Sequence, residues 1–172
     1  DLALENVDTG VVARLTTSGD VNNYVLAPTR DRILYVDQSG RAHAMALDFH
    51  ADGLLSVQTL PVSFLPGATE FRWASDGQHL AYRNADFTWW ITGLSGSDAS
   101  FPLSDSIYYL GGWSPDGQWV FYCTAEYVFE IVNVSGQVTP VDQDISCDRV
   151  EGGEWARWSP AAPLLAYARG RI

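Results

Sequence analysis

Five acidic side chains, Asp142, Asp144, Asp148, Glu151 and Glu154, crowd the stretch ahead of Trp155. Carboxylate oxygens are the hard ligands that Ca²⁺ prefers, so a loop carrying them could hold that cation. Their spacing follows no EF-hand register and lacks the glycine such a loop needs at its sharp turn, which favours a solvated loop. Trp89 and Trp90 raise a second chemistry. Adjacent strand residues face opposite sides, so one indole is expected to pack inside. The other, Trp90, is a candidate for stacking on a sugar or anchoring a protein, although ordinary packing also accounts for it. Trp90, Asp142, Asp144, Asp148 and Glu151 are therefore the candidate binding residues, and no metal or other cofactor is expected.

Catalytic signatures are missing. There is no Gly-x-Ser-x-Gly elbow, no glycine-rich phosphate loop and no His-Glu-x-x-His, so the reading is non-enzymatic. His43, His50 and His79 stand singly, and His79 is expected to be a half-exposed strand residue rather than a ligand. Asn133-Val134-Ser135 matches a glycosylation acceptor, but turn chemistry already explains it.

The elements that position these residues come from a repeat. Trp73-Ala74-Ser75-Asp76-Gly77, Trp113-Ser114-Pro115-Asp116-Gly117, Trp158-Ser159-Pro160 and a worn Leu26-Ala27-Pro28 each precede an apolar run ending in Tyr. Their anchors lie 47, 40 and 45 residues apart, the period of a four-stranded blade and not of a helical solenoid. In Ser-Pro-Asp-Gly the proline presets the first corner of a type I turn, Asp takes the second, and Gly accepts the left-handed conformation beyond it. The first copy lacks Trp and Asp-Gly and the fourth has Ala161-Ala162, so both turns are expected to differ in shape. A second set of turns, at Gly10, Gly53, Gly96 and Gly136, recurs at intervals of 43, 43 and 40, so both sets share one period. Runs such as Trp119-Val120-Phe121-Tyr122-Cys123 barely alternate, as expected of strands covered on both faces.

This alternation of a Trp-Ser-Pro-Asp-Gly hairpin with one like Leu4-Glu5-Asn6-Val7-Asp8-Thr9-Gly10-Val11 resembles the TolB-type, WD-repeat-like β-propeller repeat across essentially the whole chain. The resemblance implies an all-β propeller of four-stranded antiparallel blades. It does not carry one function, because the same repeat serves periplasmic TolB, prolyl-oligopeptidase-like peptidases and many bacterial surface proteins.

A single domain spanning 1–172 is expected, with blades at roughly 21–63, 66–104 and 107–142. Outside them lie a third-plus-fourth strand pair at the start and a first-plus-second pair at the end. Joined as a composite blade they would close a four-blade ring. Otherwise the chain is an arc with open faces, which a second copy could cover as a homodimer. Cys123 ends a second strand and Cys147 lies in the connection that follows. A bridge over that 24-residue separation is worth about 3 kcal/mol in chain entropy and points outside a reducing cytosol. Two unrelated thiols are the other reading.

The net charge of −11 argues against nucleic acid and anionic membranes, leaves cationic partners open, and by itself serves solubility. No apolar run is long enough to span a bilayer. No basic-then-apolar leader stands at Asp1, and a mature or trimmed segment is expected. The favoured function is a protein or peptide interaction or scaffold module of the bacterial cell-envelope type, periplasmic or extracellular. Two alternatives are an accessory propeller of a prolyl-oligopeptidase-like peptidase and a carbohydrate or small-ligand propeller.

Overall fold

The computed structural model describes residues 1–50, 55–60, 67–94, 100–104, 106–142, 147 and 156–168. The chain opens on β1 (Ala3–Glu5) and β2 (Val12–Arg14), an antiparallel pair. Three four-stranded antiparallel sheets follow. The first holds β3 (Val21–Leu26), β4 (Arg32–Asp37), β5 (Ala42–Phe49) and β6 (Leu55–Leu60). The second holds β7 (Glu70–Trp73), β8 (His79–Arg83), β9 (Trp89–Gly93) and β10 (Phe101–Pro102). The third holds β11 (Ile107–Trp113), β12 (Trp119–Thr124), β13 (Phe129–Asn133) and β14 (Val138–Asp142). A last pair, β15 (Ala156–Trp158) and β16 (Leu165–Tyr167), ends the series. In each full sheet the strands pair in chain order, so these are propeller blades and the whole is a propeller arc. The described residues contain no helix long and apolar enough to cross a membrane.

Burial explains the lack of alternation in the second strands. Val120 and Tyr122 face the second blade while Phe121 and Cys123 face the other way, and all four are at most 3% exposed. Four apolar clusters fill the gaps: β1–β2 against the first blade, first against second, second against third, and third against β15–β16. Among the described residues no cluster joins the two end pairs, which remain separate two-stranded sheets. Leu2 buries against Ile33, Met45 and Leu47 of the first blade, while β15–β16 packs on the third.

The repeated tryptophan ties each innermost strand to the one before. The Trp73 indole N–H donates to the Val25 carbonyl (3.4 Å), Trp113 to Arg72 (3.0 Å) and Trp158 to Gly112 (2.8 Å). Each acceptor is the residue just before the preceding anchor. Hairpin tips stack in the same sense, for a Cβ on Gly117 would lie 2.6 Å from the Asp76 carboxylate carbon. Pro160 lies in the looser fourth turn.

The expectation of two misshapen turns is half corrected. Arg30, standing where the other copies have Gly77 and Gly117, takes the same left-handed conformation (φ 62°, against 64° and 69°). Its N–H closes on the Ala27 carbonyl just as those of Gly77 and Gly117 close on Ala74 and Ser114. In these three copies the outer bond from Ala27, Ala74 or Ser114 to the carbonyl five residues on frames that closure. The fourth turn does differ: Leu164 N–H bonds the Ala162 carbonyl, and the Ala161 N–H reaches the Ser159 hydroxyl. In the second set of turns Gly10 and Gly136 have left-handed φ, whereas Gly53 and Gly96 lie outside the described residues. The structure joins Cys123 and Cys147 by a disulfide, with their Cα atoms 6.2 Å apart.

Candidate functional site at the upper face

Antiparallel strands in sequence put turns alternately on two faces of the arc. The second-to-third strand hairpins and the blade-to-blade connections share one, here the upper face. These hairpins follow one plan. A side-chain oxygen eleven residues after the anchor (Asp37, Asn84 or Thr124) accepts the N–H four residues on, from Arg41 (3.0 Å), Thr88 (3.0 Å) and Val128 (3.1 Å). The residue before that donor closes the turn in a left-handed conformation: Gly40 (φ 79°), Phe87 (φ 69°) and Tyr127 (φ 63°).

Glycine adopts that conformation freely, whereas an L side chain bears about 1–2 kcal/mol. Two blades therefore carry bulky aromatics where the turn favours glycine. Both rings are presented outward, Phe87 at 69% exposure and Tyr127 at 40%. The Arg83 guanidinium lies 4.8 Å from the Phe87 ring centre, and Tyr127 meets the exposed Tyr108 edge to face at 5.5 Å.

Behind the hairpins the blades form three equivalent crevices. The tyrosine nine residues after each anchor faces the preceding blade, and its cross-strand partner lies seventeen after the anchor: Tyr35 with His43, Tyr82 with Trp90, Tyr122 with Glu130. In the first, the His43 ring stacks on Tyr35 at 4.7 Å and its Nε2 lies 2.9 Å from Asp37. The bond to His43, then those from Ser39 and Arg41, hold the Asp37 carboxyl well below the usual range. Burial and then the charges of Asp20 and Asp37 push the Tyr35 phenol up. In the second, Trp90 and Tyr82 lie nearly parallel at 6.5 Å. In the third, burial first, and then the neighbouring Glu130 carboxylate, push the Tyr122 phenol up.

Trp89 and Trp90 both pack between blades, Trp89 towards the third and Trp90 towards the first. Trp90 is half-buried on Tyr82, and its indole N–H is buried without an acceptor among the described residues, so it is not a free-standing stacking platform. Asp142, the last residue of β14, pairs with Phe129 of β13, its side chain not described, and Asp144, Asp148, Glu151 and Glu154 lie outside the described residues. No group of three or more metal-ligating side chains is found among the described residues. His50 is exposed; His79 is half-buried, with Nδ1 2.7 Å from Asp76, a partner placed by the turn. The sequence reading missed Phe87, Tyr127 and Glu130. The signal was their fixed offset from Trp73 and Trp113.

No family model and no curated protein matches this chain. Among solved structures it is similar to a eukaryotic initiation factor, with TM-score 0.52 and 11% identity over 76% of this chain and 34% of that one. It is also similar to the β-propeller domain of Cps50 (Swd1) from Myceliophteria thermophila (TM-score 0.49, 17% identity, 87% and 50% covered). A third is the C-terminal WD40 domain of Sif2 (TM-score 0.45, 15% identity, 73% and 38% covered). The chain thus spans from about a third to half of these structures, and at such identities likeness concerns fold alone.

Proposed function

We propose that this chain is a non-enzymatic interaction module that receives a protein or peptide on its upper face, through Phe87, Tyr127 and Tyr108. The observation that carries the reading is the pair of outward aromatics held in left-handed backbone. Stability alone would favour glycine there, as at Gly40, and strain retained at exposed positions points to use. Exposed aromatic rings on hairpins are also the anchors that protein interfaces favour. The TolB-type resemblance and the Cys123–Cys147 bridge support an envelope setting, periplasmic or extracellular.

The test replaces Phe87, Tyr127 or, on the opposite face, Gln78 with a photo-crosslinking amino acid in the native host. One protein partner is expected to be captured from both upper-face positions and not from Gln78. Phe87→Gly and Tyr127→Gly should abolish its binding while leaving thermal stability equal or higher. Retained binding in the double glycine variant refutes the reading.

A further inference from the structure

We propose that the crevice between the second and third complete blades seats an arginine side chain of a protein partner, with Glu130 as its counter-charge. The comparison of three equivalent positions carries this. His43 and Trp90 each set a flat ring nearly parallel to the repeat's tyrosine. Glu130 occupies the same register and has no ring, and there a recess of about 360 Å³ opens on the upper face. It is lined by Ser104, Ser106, Thr124, Glu126, Val128 and Glu130 among others, with no lysine or arginine among the described lining residues. Beside Glu130 the repeat's tyrosine is in place, for Tyr122 is 1% exposed and is its cross-strand partner.

A guanidinium meets both demands at once. It is flat like the absent ring and forks onto a carboxylate through parallel N–H donors. Its remaining donors find hydroxyl acceptors in Ser104, Ser106 and Thr124. An ammonium is compact and would leave the ring-shaped space unfilled. The chain's net charge of −11 favours the approach of a cationic partner. The proposal rests on the interaction-module reading only for the protein that carries the arginine, because the recess can be probed alone.

The probe is N-acetyl-arginine amide, titrated into the isotope-labelled protein and followed by amide chemical shifts. Saturable shifts confined to residues 124–130 and their neighbours are expected, several-fold weaker with the lysine derivative and lost with the isosteric, uncharged citrulline derivative. Glu130→Gln should weaken binding at least tenfold. Glu130→Asp should keep it within several-fold, and Glu130→Trp, which restores the ring of the second copy, should abolish it. Equal shifts with citrulline, equal affinity for lysine, or binding unchanged in Glu130→Gln overturns the proposal. Capture at Phe87 and Tyr127 with no arginine binding would sink this inference and spare the interaction reading; the reverse result would do the opposite.

Discussion

If the tryptophan of each repeat ties neighbouring inner strands together, Trp113→Phe should weaken the arc at the second-to-third blade seam. Its indole N–H donates to the Arg72 carbonyl at 3.0 Å, and phenylalanine keeps an aromatic ring but cannot donate. Leaving a buried acceptor unmade costs about 1–3 kcal/mol. Trp113 is only half-buried, so water can partly replace it and the lower half of that range applies, about 1–2 kcal/mol. For a chain of this size, that is roughly a 3–6 °C fall in Tm. The control is Trp119→Phe: Trp119 is also half-buried, and its indole bonds to no described residue, so the same ring contraction there should cost clearly less. Thermal and urea unfolding, followed by circular dichroism, measure both. The longer Trp73 bond, at 3.4 Å, should be worth less than that of Trp113. A Trp113→Phe loss no larger than that of Trp119→Phe would show that the repeat keeps tryptophan for bulk alone.

Gly111→Ala should be worse still, since its Cβ would fall 1.9 Å from the Phe121 ring, which is 3% exposed and edge-on to Phe129; overpacking of about 3 kcal/mol is expected in urea midpoints. Asp37→Asn tests the acid limb. A depressed carboxyl contributes stability above its unfolded pKa of about 4 and loses it as pH falls through the lower folded value, so stability between pH 5 and 2 should fall less steeply in the variant. Reducing the Cys123–Cys147 bridge should cost about 3 kcal/mol, read as a lower Tm with reductant that Cys123→Ala/Cys147→Ala reproduces.

Blade count and strand order were legible because turn chemistry is local. The Asp-Gly and Ser-Gly corners and the Trp anchors mark period and face without knowledge of the neighbouring blade. Arg30 shows the limit of that reading. Its left-handed φ is imposed by the Ala27–Arg32 closure and the register of β3 with β4, and no local propensity of arginine announces it. For Trp90 the sequence left blade packing and an exposed ring both open, since one strand cannot say whether its outward face meets water or the next blade. Glu130 reads as an ordinary strand carboxylate until Tyr122 is seen across from it and Ser104 and Ser106 arrive from the connection before β11.

What varies within a constant frame is the more useful guide to function here. Positions that set the frame repeat in chemistry: an oxygen at Asp37, Asn84 and Thr124, an apolar core at Ile33, Leu80 and Val120, a tyrosine at Tyr35, Tyr82 and Tyr122. Positions facing the upper surface do not, running Gly40, Phe87, Tyr127 at the turn and His43, Trp90, Glu130 in the crevice. Folding makes the same demand at each copy, so it cannot be what separates these residues. Converting Phe87 and Tyr127 to the glycine of the first copy leaves every described backbone bond of those hairpins available. If folding were the only demand, the substitution would therefore be neutral to beneficial in every assay. A loss of binding in such a well-folded variant would locate function in the differences between repeats and not in the repeat itself.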